Sequence, residues 1–397
     1  MHTSDELLLQ ISIFPILIMN SRRQITVFFV TLGIVIGSIF LLNYCMDISG
    51  NRTMSQVSRL SMKQKDGEII IAEKAFDQRS WVKGILEQKR NCPRVLIMGS
   101  STIGSISQQM MRVKTLNAWL TGPTIEDYEA LYSILEKNAC MPEKIIIGID
   151  PWFLNKRMVS DRWKTWMSKY QEYHHQKENM QRQENSWVRA WAQFKDRLSF
   201  ITTVESFKFL VKSKSIQTDR VELFEGTTQD LCKSEYLAKS YTDAGANVYF
   251  RETDGHSEVC PQFSRAKEEV RKISETYLSR NMHNVADWHE VNMDALTRFG
   301  TLVKKFRAQN SKVLIVMPPF NPITYSVLQK NSLIRDNLQK MNDGLEEISK
   351  RYGAGFLNLE EASVAHCKDE DFEDSHHGNQ VCVEHVASVL FDYLQNH

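Results

Sequence analysis

The sequence predicts an α/β fold built around a buried parallel sheet, with one apolar helix near the N-terminus. Three short apolar runs bounded by turn residues predict the main strands: Val95–Met98, Ile145–Ile149 and Val313–Met317. Continuous apolar runs of this length are typical of strands covered on both faces, as in parallel sheets. Helical patterns separate the runs, and this alternation predicts right-handed crossovers with helices flanking the sheet.

Two weaker strands and three helices complete the predicted core. The weaker strands are Lys114–Trp119 and Gly355–Leu359. The helical patterns cover Ile125–Asn138, which Thr124 can cap, Met293–Asn310, and Asn379–Gln395 at the end of the chain.

The stretch between the second and third main strands has a different pattern. It carries charged, tryptophan-rich helices and then a loop-like part around Cys232–Cys260. We interpret residues 155–290, approximately, as a mostly helical insertion, or cap, within a domain that covers residues 91–397. Such insertions commonly lie over the carboxyl ends of the strands, where ligands bind. Residues 47–90 are interpreted as a polar linker and a helical approach to this domain.

Composition excludes one class of partner. The 397 residues carry a formal net charge of +1, with 42% hydrophobic and 24% charged residues. Lysine and arginine are spread along the chain, so there is no electrostatic argument for a nucleic-acid partner, and none is expected.

The stretch Ile25–Met46 predicts a membrane-spanning helix. It runs for about 22 residues without a charge, which is long enough for a hydrocarbon core of about 30 Å. Arg22 and Arg23 precede it, so residues 1–24 are expected in the cytoplasm and the rest of the chain outside. A cleaved signal peptide is the competing interpretation. Residues 1–18 are either an over-extended start or, through Leu7–Met19, an interfacial stretch.

A pair of serines follows the first main strand. In "VLIMGSST", Ser101 comes after Gly99-Ser100, where the strand must end. A serine nucleophile needs a histidine to take its proton and a carboxylate to orient that histidine. "FEDSHH", just before the last helix, offers Asp374 and His377, with His376 as the alternative base. Both positions lie at the carboxyl edge of a doubly wound sheet, although a structural turn and a solvated acidic loop would leave the same pattern.

With these pieces the chain resembles the SGNH (GDSL-like) hydrolase superfamily, in particular its membrane-anchored branch linked to bacterial envelope and exopolysaccharide acylation. The matching stretches are "VLIMGSST", "LNAWLTGPTIEDY" with Gly122, "IIIGIDPWFLN" and "FEDSHH". They cover roughly residues 90–155 and 310–395 and leave the cap uncovered. The resemblance implies a flavodoxin-like sheet, with Ser101 as nucleophile, His377 as base and Asp374 as its partner.

The resemblance also implies an oxyanion hole, and here the sequence departs from the family pattern. The backbone N–H groups of Ser101 and Gly122 would form part of the hole. Members commonly carry a donating asparagine in the third block, where this chain has Asp150. Asn155 and Asn321 are the candidate substitute donors. A structural role for Asp150 and a catalytically impaired protein are the alternatives.

Several residues near these blocks are expected to meet substrate. Asp150, Trp152 and Asn321 are the candidate substrate-binding residues. The tryptophans that begin the cap would stack on sugar rings or form the cap's own core; they are Trp152, Trp163, Trp166, Trp187 and Trp191. Trp152 directly follows the third block and is the one expected to face the cleft.

Six of the seven cysteines lie beyond the apolar segment. An even number fits an oxidising compartment, and the absence of CxxC or zinc-type spacing predicts no metal site. Placed on the fold that the resemblance implies, they suggest the bridges Cys92–Cys140, Cys232–Cys260 and Cys367–Cys382. The last of these would close a loop that holds Asp374 and His377.

The resemblance implies a membrane-anchored, single-pass protein with a periplasmic or extracellular serine acyltransferase or esterase domain. It would act without a cofactor on O-acyl groups, most simply O-acetyl, of an envelope glycan or exopolysaccharide. The expected partners are the bilayer through residues 25–46, the glycan, and a membrane O-acyltransferase. The alternative is a non-catalytic envelope protein that binds glycan or scaffolds a polysaccharide biosynthesis complex.

Overall fold

The structure is a computed structural model that describes residues 21–46, 56–72, 77–88, 92–179, 203, 221–234, 249–257, 260 and 264–396. The chain forms two units. One comprises Met1–Ile48 with Glu184–Ser215, and the other comprises Ser49–Gln183 with Ile216–His397. Residues 1–20 and the predicted cap residues Trp187 and Trp191 lie outside the described residues.

The first unit is described at helix α1, Ser21–Met46. Its stretch Arg23–Leu42 is long and apolar enough to cross a membrane, and no part of that stretch is buried by protein. This finding supports a single-pass anchor or a signal sequence. The orientation of the chain across a membrane stays a prediction.

The second unit contains the predicted parallel sheet. In the described residues the strands are β1 Glu68–Ala72, β2 Val95–Met98, β3 Thr115–Asn117, β4 Lys144–Gly148, β5 Val221–Glu225, β6 Tyr249–Arg251, β7 Lys312–Met317 and β8 Gly355–Asn358. The α-helices described in this unit are α2 Gln56–Ser61, α3 Gln78–Leu86, α4 Gln108–Met111, α5 Ile125–Lys137, α6 Met167–Asn179, α7 Thr228–Lys233, α8 Lys267–Glu275, α9 Met293–Ala308, α10 Pro322–Lys330, α11 Ser332–Tyr352 and α12 Gln380–Asn396.

Five strands pair in parallel in the order β3-β2-β4-β7-β8. Counted within this sheet, the order is 2-1-3-4-5, the order of flavodoxin-like doubly wound sheets, whose ligands bind where the order reverses, between the first and third strands. The five predicted strands are confirmed, with ends shifted by a residue or two. The edge at which β2 and β4 end is therefore the expected place for a site.

Both faces of this sheet are buried, as the apolar runs predict. One face contributes Leu96, Met98, Ile145, Ile147 and Ile315 to the larger core. The other face contributes Val95, Ile97, Ile146, Leu314 and Val316 to a second core under α12. Each buried side chain of this size stabilises the fold by about 1.5–3 kcal/mol, so the sheet edge is a rigid base for a site.

A second, antiparallel sheet corrects the interpretation of residues 47–90 as linker and helix. β1 lies there and pairs with β5 and β6 from the insertion, in the order β5-β1-β6. Ile69 and Ile71 are buried on one of its faces. The described part of the insertion thus contributes two short strands besides its helices, because "EIIIA" pairs with two segments that are distant in sequence.

The turn after β6 supports the loop that follows β2. The N–H of Asn117 donates to Asp254 O at 2.7 Å, and the N–H of Ser257 donates to Gly104 O at 3.1 Å. The Ser105 hydroxyl also donates to Ser257 O at 2.7 Å. Residues 254–257 therefore hold both β3 and the serine-bearing loop.

The three predicted disulfides are present. They join Cys92–Cys140, Cys232–Cys260 and Cys367–Cys382, with Cα–Cα distances of 5.2, 5.5 and 5.1 Å. The first ties the approaches to β2 and β4 together, and the last brackets the loop before α12.

Candidate active site

Ser101 stands at the carboxyl end of β2, on a short 3₁₀ turn, Ser101–Ile103. Glycine is required before it because Ile103 fills the space. A Cβ on Gly99 would lie 2.4 Å from Ile103 Cδ1, and one on Gly148 of neighbouring β4 would lie 2.6 Å from the same atom. Ser100 caps the turn by accepting the N–H of Thr102 at 3.2 Å. The turn thus displays the Ser101 side chain at the sheet edge.

Ser101, His377 and Asp374 form one hydrogen-bonded chain. Ser101 Oγ lies 2.8 Å from His377 Nε2, across a sequence separation of 276 residues. His377 Nδ1 lies 2.8 Å from Asp374 Oδ2. This is the connectivity that nucleophilic serine catalysis needs, with the base oriented by a carboxylate.

Neighbouring backbone holds the histidine loop in place. Asp374 Oδ1 accepts the N–H groups of His376 and His377 at 3.0 and 2.9 Å. The N–H of Asn321, which follows β7, donates to Ser375 O at 3.1 Å. These bonds preset the carboxylate for His377 before any substrate arrives.

The loop's electrostatics favour an ion pair between Asp374 and His377. Burial disfavours the charged form of Asp374, but the charge and hydrogen bond of His377 hold its pKa well below the ordinary value. Burial likewise opposes charge on His377, yet Asp374 raises the pKa of the imidazole above 6.5. A base that gains a proton more readily suits proton abstraction from Ser101.

His376, the alternative base, is placed elsewhere. It is 3% exposed, and its Nδ1 lies 2.8 Å from Ser375 Oγ. Burial first, then the charge of His377, lowers its pKa well below the ordinary value. His376 is therefore a neutral packing residue behind His377.

The expected oxyanion donors are the N–H groups of Ser101 and Gly122. The N–H of Leu120, two residues before Gly122, donates to Gly99 O at 2.8 Å. Gly122 has φ +54°, a left-handed conformation that favours glycine. Within the described part of the chain, neither the N–H of Gly122 nor that of Ser101 meets a protein acceptor.

The proposed substitute donors are engaged elsewhere. Asn155 Nδ2 donates to Asn284 O at 2.8 Å, and its Oδ1 accepts the N–H of Arg157 at 3.0 Å. Asn321 Nδ2 donates to Asp369 Oδ1 at 2.9 Å, and its Oδ1 caps α10. Both amides are buried, and their expected donation to an oxyanion or substrate stays a prediction. In the structure these amides hold loops.

Asp150 has a structural position. Its Oδ1 accepts the hydroxyl of Thr102 at 3.0 Å, and Thr102 in turn lies 3.0 Å from Ser100 Oγ. The side chain is buried, and this burial raises the pKa of Asp150 to about 6. Asp150 thus bonds the serine turn through Thr102, and its expected contact with substrate stays a prediction.

Trp152 is also covered. It is 2% exposed, and the His283 ring stacks on it with centroids 4.2 Å apart. His283 covers one face of the Trp152 ring, and the expected contact of Trp152 with substrate stays a prediction. In the described part of the cap, Trp166 is buried and donates to Arg79 O at 3.0 Å, which agrees with the cap-core interpretation.

Comparison with known proteins places the chain in a family. A family model described as DUF1574, protein of unknown function, matches residues 25–394. This chain belongs to the DUF1574 family. No curated protein matches it, and no solved structure matches it.

One acid–histidine group of this DUF1574 protein has the spacing of a metal site. Ligand atoms of Asp374, His376 and His377 all lie within 4.8 Å of one another. The bonds of His377 to Asp374 and of His376 to Ser375 already use these atoms. A metal ion would have to replace both bonds, so we interpret the group as part of a proton-transfer chain.

Sequence reasoning missed three residues at this site of the DUF1574 chain. Thr102 links the serine turn to Asp150, Arg265 lies 3.5 Å from Asp374 Oδ2, and His283 covers Trp152. Thr102 was visible beside Ser101 in the motif. Arg265 and His283 belong to the insertion, where no local pattern marks a residue that folds back onto the sheet edge.

Proposed function

We propose that this chain is a membrane-anchored, extracytoplasmic serine acyltransferase or esterase of the SGNH type. Its substrates are O-acyl groups, most simply O-acetyl, of an envelope glycan or exopolysaccharide. The observation that carries the proposal is the hydrogen-bonded chain from Ser101 through His377 to Asp374 at the carboxyl edge of a parallel sheet.

The first half-reaction would form an acyl-enzyme. His377 Nε2 takes the Ser101 proton as Oγ attacks the acyl carbonyl, and the carbonyl oxygen gains a negative charge. The N–H groups of Ser101 and Gly122 stabilise that charge. The C–O bond to the leaving alcohol then breaks, and His377 gives that alcohol the proton.

The second half-reaction would transfer or release the acyl group. A sugar hydroxyl or water gives its proton to His377 and attacks the Ser101 ester. Collapse of the second tetrahedral species returns the proton to Ser101 Oγ. Transfer dominates where the bound sugar excludes water from the ester.

Two other features support the cellular setting of the proposal. Helix α1 is apolar enough to anchor the domain beside substrates made at a membrane. Three disulfides fit an oxidising compartment outside the cytoplasm. A membrane O-acyltransferase would supply the acyl group in this setting.

The non-catalytic alternative rested on Asp150. The contact of Asp150 with Thr102 supports a structural role for the acid, and the hydrolysis experiment below separates catalysis from this alternative.

Hydrolysis of an aryl acetate by the full-length protein in detergent tests the proposal. We expect Ser101→Ala to abolish hydrolysis, because the nucleophile is lost. Ser363→Ala changes an exposed serine on the same unit and should hydrolyse like the wild type. Added envelope glycan should divert acetyl groups from water to sugar. Equal hydrolysis by wild type and Ser101→Ala would reject the assignment.

A further inference from the structure

An imidazole from the insertion lies over the histidine loop. The ring centroid of His283 is 4.2 Å from that of Trp152 and 5.4 Å from that of His376. His376 in turn lies 4.2 Å from His377. His283 is therefore within two ring contacts of the base that bonds Ser101.

The backbone around His283 is strained. Asn281, His283 and Asn284 all have positive φ, at 45°, 55° and 56°. For residues other than glycine each such conformation costs about 1–2 kcal/mol, and it persists where surrounding contacts determine it, often at functional sites.

Identified contacts hold this strained segment. Asn155 Nδ2 donates to Asn284 O at 2.8 Å. Asn281 accepts the N–H of Ala286 at 3.0 Å and donates to Asp287 at 2.7 Å. Asn155 thus acts on the site indirectly, because it fixes the segment that presents His283.

The ring nitrogens of His283 are available to a ligand. The side chain is half-buried, and no residue in the described ranges hydrogen-bonds either nitrogen. Burial, and then the nearby His377, lowers the pKa of His283. A neutral imidazole retains one N–H donor and is a known means of polarising a carbonyl.

We propose that His283 is a catalytic residue that donates an N–H hydrogen bond to the substrate acyl oxygen at Ser101. It would supply the donor that the resembled family draws from an asparagine at the position of Asp150. This inference rests on the proposed function. No proton is transferred in the step: the hydrogen bond strengthens as the carbonyl oxygen gains charge and weakens when the carbonyl re-forms.

The segment that carries Asp150 connects the parts of this site. Asp150 itself faces the serine turn through Thr102. Two residues later Trp152 stacks against His283, and Met158 Cε lies 3.8 Å from the Cβ position of Gly122. His283 and Gly122 thus both lie next to the segment that begins at Asp150.

Three substitutions in the full-length protein separate donation from packing. His283→Phe keeps an aromatic ring on Trp152 and removes both nitrogens. His283→Gln and His283→Asn each restore an amide N–H donor. The glutamine nitrogen replaces Nε2 of the histidine, and the asparagine nitrogen replaces Nδ1. Asparagine also tolerates the left-handed backbone.

Kinetics of aryl acetate hydrolysis provide the test, with Ser101→Ala as the reference for no catalysis. We expect His283→Phe to lower kcat about 100-fold, the usual effect of losing one oxyanion donor, with KM within about threefold of the wild-type value. One of the two amide variants should have a kcat about tenfold higher than that of His283→Phe.

The outcomes that overturn the proposal are distinct from those that overturn the function. Wild-type kcat in His283→Phe, a loss confined to KM, or no recovery by either amide would each reject donation by His283 while leaving Ser101 as nucleophile. Hydrolysis that is equal in wild type and Ser101→Ala would reject the proposed function and this inference with it.

Discussion

At the residue scale the account depends on how burial sets the charges of Asp374, His377 and Asp150. Burial disfavours the charged form of all three groups, but Asp374 and His377 also gain each other's charge and a shared hydrogen bond, whereas the charge of His377 offsets the burial of Asp150 only in part. Asp150 has hydroxyl partners, and these compensate less than a counter-charge does. His377 therefore has a raised pKa beside a charged Asp374, as a general base requires. Asp150 has a raised pKa as well, and for a carboxyl group this means that ionisation is disfavoured.

The raised pKa of His377 predicts a pH profile. The base must be neutral to accept the Ser101 proton, so kcat/KM should rise with pH and reach half its plateau above about pH 6.5, the ordinary histidine value. Asp374→Asn should lower the plateau by about 10³–10⁴-fold, because the imidazole loses its orienting acceptor. Its residual activity should extend to lower pH.

The control is Glu370→Gln, an exposed change on the same loop, which should leave the pH profile unchanged. An unshifted profile in Asp374→Asn would contradict the pairing of His377 with Asp374.

Asp150→Asn should stabilise the protein at alkaline pH. A carboxyl whose pKa is about 6 when folded and about 3.9 when unfolded destabilises the fold above pH 6, with no such penalty below pH 4. Asparagine can still accept from Thr102. We expect the free energy of unfolding to rise by about 1–3 kcal/mol at pH 8 and to change little at pH 4, as measured by denaturant titration. An equal effect at both pH values would contradict a buried, ionising Asp150.

At the element scale the site is assembled by loops that the rigid sheet holds at one edge. The turn after β2 contains Ser101, and the loop before α12 contains Asp374 and His377. The segment after β4 contains Trp152, which stacks against His283 of the insertion. Asn321 and the Cys367–Cys382 bridge connect the α12 loop to the rest of the unit. This arrangement predicts that loosening the α12 loop removes activity before it unfolds the sheet.

Removal of the Cys367–Cys382 bridge tests that expectation. The bridge closes a loop with a sequence separation of 15 residues, and a loop of that length contributes about 3 kcal/mol in the chain-entropy model. The double Cys→Ala variant should lower both the unfolding free energy and kcat. The matched variant at Cys232–Cys260, which packs against the antiparallel sheet, should lose stability and keep kcat. If both variants lose kcat equally, the bridge has no specific role at the site.

The elements also show what the sequence could and could not predict. β2, β4 and β7 were predictable because two-sided burial leaves a local apolar run. β1 was missed although Ile69, Ile70 and Ile71 form such a run, because its partners β5 and β6 lie in a segment without a clear pattern. Ser101, Asp374 and His377 were predictable from motifs. The loop-holding roles of Asn155 and Asn321 depend on contacts with Asn284 and Asp369, which no spacing in the sequence indicates.

At the scale of the whole molecule, the apolar helix α1 and the α/β unit together define a membrane-tethered enzyme in our proposal. The full-length protein should sediment with membranes and resist extraction by alkaline carbonate, because an apolar stretch such as Arg23–Leu42 is stable only in hydrocarbon. Mass analysis of the membrane-bound protein should find α1 intact. Recovery of a soluble form that lacks α1 would favour the signal-sequence interpretation.

The central claim is that Ser101 is an activated nucleophile, and covalent labelling tests it most directly. The full-length protein is treated with a fluorophosphonate, digested and mapped by peptide mass. Our account predicts one adduct, on Ser101, that is absent in Ser101→Ala and strongly reduced in His377→Ala. An unlabelled wild type, or labelling that is unchanged in Ser101→Ala, would contradict it.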